Sequence, residues 1–406
     1  MANQFQTISS GLAELKNFYQ GPIVDQFNED VPIYRGSEKV KQGWSGLQVI
    51  RPLRVRKNQG IGAAADNGTL PAIGRQTTVQ AIIAAKYNYL RFGITGPMIK
   101  ASQSDAGSFV RSAAYELEMG YKDLMNDCNR QFGYDGTGKL AVVSTIANGS
   151  SSITISGRES AEAALKFIDI GTIVDITDGT NLLASGVTVT GITTGTGTSL
   201  TAVLTLSQTV TTTATTNYLI RSGSLGNEIQ GLVYALDGGT SVVYNVDRSQ
   251  YFQYQGNVID RGALQMSLDY LQQAYNEGLR RGGAKYSALY SDFDSLRMYQ
   301  KLLTADKRYM NTTEGDGGFA NKDKFYLDFN GIAWVPDKDS PQRVFFLPED
   351  VFKSYVLAEM EFADETGSMY IAQTSQDALE VRVRFFTNLF NEQPSACAVA
   401  KNYTSP

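Results

Sequence analysis

Histidine is absent from this 406-residue chain, and cysteine occurs only twice. Without imidazole there is no Ser-His-Asp or Cys-His nucleophile system and no histidine-ligated metal site. Nor is there an acid–base group that titrates near neutrality without help. Cys128 and Cys397 cannot make a disulfide scaffold, and both read as small core residues in a reducing compartment. No apolar run approaches the ~20 residues of a membrane span. The segment MANQFQTISS has no basic stretch followed by an apolar one, so no secretion signal is expected. The Gly-rich loop TADKRYMNTTEGDGGFANKDK contains neither GxGxxG nor GxxxxGK, so it offers no phosphate cradle and implies no cofactor. A net charge of −5 argues against a dedicated nucleic-acid binder. Carboxylate or lysine chemistry is what remains for catalysis, and the expectation of an enzyme is low.

What the chain does have is one long helical stripe. Between Ser104 and Gly136 apolar residues recur at Val110, Ala114, Leu117, Tyr121, Leu124, Cys128 and Phe132. These steps of three and four line one side of a helix. Glu116, Glu118, Lys122, Asp123, Asn126, Asp127 and Arg130 fall largely on other faces. Glu118–Lys122 and Asp127–Arg130 stand at pairing distance on a helix surface. Ser104 or Asp105 is placed to cap the start, and Gly133 and Gly136 to end it. At about 1.5 Å per residue the rod is roughly 40 Å long, a spine for other layers. The plain alternative is the longest core helix of an α+β enzyme.

Residues 46–96 carry a second signal. GLQVIRPLRVRKNQ reads as one strand, with Val49, Arg51, Leu53 and Val55 on one face. A Gly- and Ala-rich loop, NQGIGAAADNGTLPAIG, leads to a second long strand. There Val79, Ala81, Ile83, Ala85, Tyr87 and Tyr89 share a side. A two-stranded ribbon roughly 40 to 60 Å long is marginal in water, with both edges open. The expectation is that it lies on another subunit. Its first arm and loop carry Arg51, Arg54, Arg56, Lys57 and Arg75, the candidate subunit-interface residues. Three readings of that charge stand: phosphates of a nucleic acid, a solvated face, and salt bridges to an acidic neighbouring subunit. Aromatics for base stacking are absent near those arginines, and the salt-bridge reading has the greatest weight.

The rest divides by composition. Residues 1–45 form an arm with anchors such as Phe18, Ile23 and Trp44 but no periodic core; VPIYRG reads as extended chain. Between Leu140 and Ile220 the only basic residues are Arg158 and Lys166, and the only aromatics Phe167 and Tyr218. Strands are expected near 152–155, 172–177, 186–192, 200–206 and 217–220, making a small all-β barrel or sandwich inserted into the host. The host resumes with a helix capped at Asp260 and striped by Leu264, Leu268, Leu271, Tyr275 and Leu279. The strand YSALY, a helix capped by Ser291 or Asp292, and the strands FYLDF, GIAWV and VFFLP follow. Near the end, Leu379, Val381, Val383 and Phe385 alternate with Glu380, Arg382 and Arg384, and SACAVAKNYT returns as a strand. These closing strands are expected to pack on the spine's stripe.

This order of parts resembles the major capsid protein of tailed bacteriophages, the Hong Kong 97-type fold family. The resemblance rests on the helix–YSALY–SDFDSLRMY sequence, on NGIAWVPDKDSPQRVFFLPED and on RFFTNLFNEQPSACAVAKNYT, in that order. It covers about 46–138 and 223–406 and involves no chemical motif. It implies an α+β capsid fold: an N-terminal arm (1–45), an extended β-ribbon loop (46–96) and a peripheral domain holding the spine helix (97–138 and 340–406). An inserted β domain (139–222) and an axial α/β domain (223–339) complete it. The implied function is structural, not enzymatic, with no cofactor and no membrane. Copies would self-assemble as pentamers and hexamers into an icosahedral head around double-stranded DNA, without sequence-specific contacts. The virion would be its location, after assembly in the host bacterial cytoplasm. A portal protein would be a partner. So would a separate scaffold protein, because the arm is too short for the cleaved scaffold segment of the family's founding member. That member also cross-links lysine to asparagine; Lys57, Asn391 and Asn402 are of the right types, and nothing in the sequence pairs them. Two rivals remain. One is an encapsulin-like compartment shell, which shares the fold. The other is a carboxylate-dependent hydrolase using Asp364 and Glu365, or Glu314 and Asp316. Adjacent acids on a strand point to opposite faces, which counts against the first pair.

Overall fold

A computed structural model describes residues 30–40, 44, 46–97, 112–146, 149–159, 162–194, 200–212, 216–237, 242–306, 327–363, 370–372 and 377–405. The expected helix start at Ser104 or Asp105, most of the arm, and the acids Glu314, Asp316, Asp364 and Glu365 lie outside the described residues. In chain order the elements begin with α1 (Pro32–Gly36), β1 (Glu38–Val40), β2 (Gln48–Arg56), β3 (Thr77–Ala84), β4 (Lys86–Thr95) and α2 (Ser112–Gly133). Next come β5 (Lys139–Val143), β6 (Ser150–Ser156), β7 (Ile173–Thr177), β8 (Leu182–Thr194), β9 (Thr201–Val210) and β10 (Asn217–Arg221). Then follow α3 (Leu232–Asp237), β11 (Val242–Val243), β12 (Val246–Asp247), β13 (Asn257–Gln265), α4 (Leu268–Gly282), β14 (Tyr286–Ser291) and α5 (Phe293–Asp306). The chain closes with β15 (Leu327–Phe329), β16 (Ile332–Pro336), β17 (Arg343–Pro348), β18 (Phe352–Phe362), β19 (Tyr370–Ala372), β20 (Ala378–Asn391) and β21 (Ala398–Thr404).

Two compact units are present. The smaller takes in residues 90–123 and 362–382, the larger residues 30–89, 124–361 and 383–405. In the smaller unit β19 pairs antiparallel with β20, Tyr370 opposite Val381 and Ala372 opposite Leu379. Glu380, expected on the solvent face of its strand, is buried there. Arg91 Nε reaches it at 2.7 Å and Arg382 Nε at 2.5 Å, which is what makes burial of the carboxylate tolerable. On α2, Gly120 leaves room for β4: a Cβ at that position would stand 2.8 Å from Leu90 Cδ2.

The larger unit contains a closed barrel in the order β10-β5-β6-β9-β8-β7. Period-two alternation fills it. Ile153 and Ile155 of β6, Val174 and Ile176 of β7, and Ala202, Leu204 and Leu206 of β9 point inward, with Ser, Thr and Asn largely outside. Its core is its own. Every buried residue of that cluster falls between Leu140 and Leu219, and β5 and β10, which lead in and out, are paired neighbours.

A six-stranded mixed sheet follows, in the order β13-β21-β17-β14-β16-β15. Tyr270, Leu271 and Ala274 of α4 and Leu296 and Tyr299 of α5 bury against it with Trp334. Trp334 stacks on Tyr299 at 4.7 Å and donates its indole N–H to Ser291 Oγ at 2.7 Å. Ser267 caps α4 by accepting from Tyr270 N at 3.2 Å, and Gly283 ends it in the left-handed region at φ 65°. Asp292 caps α5 through Ser295 N at 3.3 Å.

Several expectations need correction. Asp260 does not start the α4 helix. It accepts from Gly262 N at 2.8 Å in a turn where Gly262 and Ala263 have φ of 66° and 60°. Two successive left-handed residues forbid a helix, so β13 runs on and Leu264 is exposed. VPIYRG is not extended: Pro32 opens the short helix α1, its fixed φ suited to a first turn. SACAVAKNYT becomes β21, hydrogen-bonded between β13 and β17; likewise β17, from 343–348, lies beside β14. Stretches read with the spine thus complete the α/β sheet, through non-local pairings such as Asn257 with Ala398 and Tyr290 with Phe345 that no local pattern encodes. The spine stripe itself is buried at Leu124, Cys128 and Phe132 but not at Tyr121.

The polar face of α2 is the largest departure. Arg130, read as a surface residue, is 2% exposed. Its Nε meets Asp127 Oδ1 at 3.0 Å, one helical turn back, and its terminal nitrogens form a forked pair with the buried carboxylate of Glu228. Burial alone would raise Asp127, but the charges of Arg130 and Arg221 outweigh it and hold the carboxyl at about 2. Beside this pair, Asn129 donates to Asp337 at 2.9 and 3.0 Å and to Asp339 at 2.9 Å, and accepts from Tyr34 N at 3.0 Å. Burial, with Asp339 adjacent, pushes Asp337 up to about 6.

Two outcomes follow. Glu228→Ala, which strips a carboxylate from a buried guanidinium, should lower the urea unfolding free energy by about 3–5 kcal/mol. A loss near zero would show that Asp127 alone compensates Arg130. Below about 6 the folded chain holds a proton on Asp337 that an ordinary unfolded aspartate, near 3.8, releases. Stability from this group therefore rises as pH falls through that window. Asp337→Asn should shrink the gain measured between about pH 7 and about pH 5, and an equal gain in both proteins would exclude Asp337 as its source.

Candidate functional site

β2 and β3 build an antiparallel ribbon, with Gln48 opposite Ala84 and Leu53 opposite Val79. The register shifts between Arg54 and Arg56. The second long strand expected from the sequence breaks at Ala85. β3 stays with β2, whereas β4 joins β20 in another sheet. Alternation places Ala81 and Ile83 inward at the base, and Val55 is buried further along. Three polar contacts fasten the base. Ile82 N donates to Tyr244 O at 2.9 Å, Asn388 Nδ2 to Ala84 O at 2.8 Å, and Lys86 Nζ to Gly226 O at 2.7 Å. Tyr87 and Tyr89 set their rings edge-on to Phe386 at 5.0 and 5.4 Å.

Beyond this base the ribbon has no core. Residues 57–76 hold their shape through short local bonds: Gly60 N to Asn58 Oδ1 and Gly68 N to Ala65 O, each at 2.8 Å. Gly74 backs onto Gly60, where a Cβ would stand 2.3 Å from the Gly60 nitrogen, so the loop's two arms close only because both are glycine. Three large apolar side chains are left in water on this loop: Ile61 at 85%, Leu70 at 80% and Ile73 at 103% of full exposure. Sequence reasoning treated the stretch as a loop and passed over them. The available signal was branched aliphatics spaced among Gly, Ala and Pro, where no core can form around them.

The five basic candidates separate. Arg51 is committed within its own chain: NH2 lies 2.5 Å from Glu392 Oε1, whose other oxygen is 3.5 Å from Lys353 Nζ. Arg56 lies over the Tyr251 ring at 5.7 Å. Arg54, Lys57 and Arg75 are exposed and have no ion-pair partner among the described residues. The structure does not bring the five into one cluster; it places the three unpaired ones along the outer part of the ribbon, on either side of the apolar tip. Of the asparagines, Asn391 is buried with its amide on Cys397 Sγ at 3.4 Å, whereas Asn402 is exposed and donates to Asp260 at 2.9 Å. Among the described residues no group of acids and cysteines is placed to hold a metal ion, and no helix is long and apolar enough to cross a membrane.

No protein-family model matches the chain, and no curated protein matches its sequence. Solved structures do match. The capsid asymmetric unit of Cyanophage A-1(L) gives a TM-score of 0.62 at 12% identity, over 98% of this chain and 100% of that one. The capsid of a native GTA particle gives 0.56 at 7% identity, over 99% and 100%. A structure from Mycobacterium phage Bobi gives 0.51 at 8% identity, over 98% and 99%. The architecture is thus that of one fold class, the Hong Kong 97-type capsid fold. Within that class the chain has the fold of the major capsid protein of tailed bacteriophages.

The separation of the basic residues has a measurable consequence. Arg51→Glu, facing Glu392, should lower unfolding free energy by up to about 1 kcal/mol. The triple change of Arg54, Lys57 and Arg75 to Glu should leave it within about 0.5 kcal/mol. Equal losses would mean that the outer cations also support the subunit's own fold.

Proposed function

We propose that this protein is the structural major capsid protein of a tailed bacteriophage, assembling as pentamers and hexamers into an icosahedral shell around double-stranded DNA. The observation that carries this is the ribbon. A strand pair with a bare apolar tip and three cations unpaired among the described residues is unstable company for water, and a second copy of the chain supplies the missing cover. The end-to-end fold likeness to phage capsid chains supports the same reading. The chain's role is architectural, with no catalytic step. The acidic net charge of −5 suits an inner wall along which packed DNA slides rather than sticks. A separate scaffold protein and a portal protein are the proposed assembly partners, and the virion the proposed location. Arg54, Lys57 and Arg75 are proposed to meet acidic groups of the neighbouring copy, with Ile61, Leu70 and Ile73 buried at the same contact. An encapsulin-like compartment is the second reading, since it too is a shell of this fold.

Electron microscopy of the expressed protein, with and without its scaffold, should reveal closed particles. Nuclease-resistant double-stranded DNA in particles from infected cells separates the phage head from the enzyme compartment. A compact 44.3 kDa species under every condition would sink both shell readings. The triple Glu variant, and a companion with Ser at 61, 70 and 73, should keep the wild-type circular dichroism and lose most particle yield. Undiminished yield in both would reduce the ribbon to a solvated loop. The effect is expected to be large because each small contact recurs in every subunit, and opposed like charges disfavour docking.

A further inference from the structure

An open cavity of about 590 Å³ is bounded by α3, the start of β13 and the last turns of α4. Asp237, Arg248, Ser249, Asn257, Glu277 and Arg281 are among the residues that line it. The acids there are already engaged within the chain. Asp237 accepts from Arg343 and, at 2.7 Å, from Lys401 Nζ. Glu277 is held by Arg280 NH2 at 2.5 Å. Asp247, next to Arg248 in sequence, accepts from Ser249 N and Oγ at 2.9 and 2.6 Å.

The arginines are not so served. Arg281 donates to two neutral acceptors, Asn257 Oδ1 at 2.7 Å and Phe252 O at 2.8 Å. Arg248 is only 6% exposed; one terminal nitrogen donates to Ala235 O, and its Nε has no partner. Neither guanidinium forms an ion pair among the described residues. Burial pushes the Arg248 guanidinium below its ordinary pKa. A buried cation without an anion is a costly arrangement, and native structures normally supply the counter-charge. Here the described residues supply none, and an open cavity lies beside Arg248.

We infer that this cavity is a binding site for a small oxyanion, phosphate or carboxylate, held by the guanidinium groups of Arg248 and Arg281. A planar guanidinium with free N–H donors suits both oxyanions, which accept two parallel hydrogen bonds from it. All the lining residues come from one chain, so the site does not depend on the shell reading.

Isothermal titration of the full-length protein with inorganic phosphate, and separately with acetate, at constant ionic strength set by chloride, tests this. Saturable heat at one site per chain is expected with at least one of the two, and their relative affinities tell which oxyanion the site prefers. Arg248→Gln should weaken binding about tenfold. Because Arg248 is buried, that variant is first checked by circular dichroism. Ser249→Glu, at an exposed lining position, gives an independent test. It places a carboxylate at the mouth, gives up the Ser249 Oγ bond to Asp247 and is likewise checked by circular dichroism, and it should also weaken binding about tenfold. No saturable heat with either anion, or undiminished binding in Ser249→Glu or in folded Arg248→Gln, overturns the assignment.

Discussion

Arg130 carries a full positive charge into a place that water does not reach. A guanidinium stays charged at any pH the protein meets, so its surroundings must answer it with fixed carboxylates. Asp127 comes from the same helix and Glu228 from the segment just after the barrel. Removal of one partner from such a pair costs about 3–5 kcal/mol, a large share of the 5–15 kcal/mol typical of whole domains. Helix and barrel exit are thereby held to one arrangement. The residues around it extend the constraint. Asn129 binds α1 and the loop after β16, Gln131 bonds to Asn88 of β4 at 2.9 Å and accepts from Ile229 N, and Tyr134 donates to Glu162 in the barrel. A short stretch at the end of one helix thus touches most of the larger unit.

The barrel illustrates a second physical regime. Its interior is sealed by its own alternating side chains, and it meets the host largely through polar links: Arg158 with Asp135, Arg343 with Glu159, and Lys166 Nζ on Ser340 O at 2.6 Å. Hydrophobic burial defines the module, and ion pairs, hydrogen bonds and the Tyr134–Phe167 ring contact join it to the host. The six-stranded sheet differs, because its core draws on residues from Met266 to Tyr403 and closes only when the last strand arrives. The ribbon belongs to neither regime. Beyond Val55 it buries almost nothing, and glycine-permitted close approach plus local hydrogen bonds keep its shape. An element with so little internal support presents its side chains outward by default.

Sequence alone determined what depends on near neighbours. Period-two alternation marked Val79, Ala81 and Ile83, because a strand's two faces follow directly from residue parity. Steps of three and four marked Leu124, Cys128 and Phe132 for the same reason on a helix. The lack of histidine, a matter of composition, lowered the weight of an enzyme at once. The order of such segments was enough to bring a capsid fold into view. Only tertiary structure decided the rest. Whether Arg130 faces water or Glu228 depends on a residue 98 positions away, and Arg51 finds Glu392 across 341. A helical wheel assigns polarity, not burial, so it placed Arg130 on the surface; five basic residues read together as subunit-interface candidates proved to be two committed arginines and three cations with no ion-pair partner among the described residues. Strand partnership is likewise non-local, which is why β21 joins the α/β sheet. Local patterns fix which way a side chain points within its element, but the free energy that decides what it meets comes from segments the chain brings together only on folding.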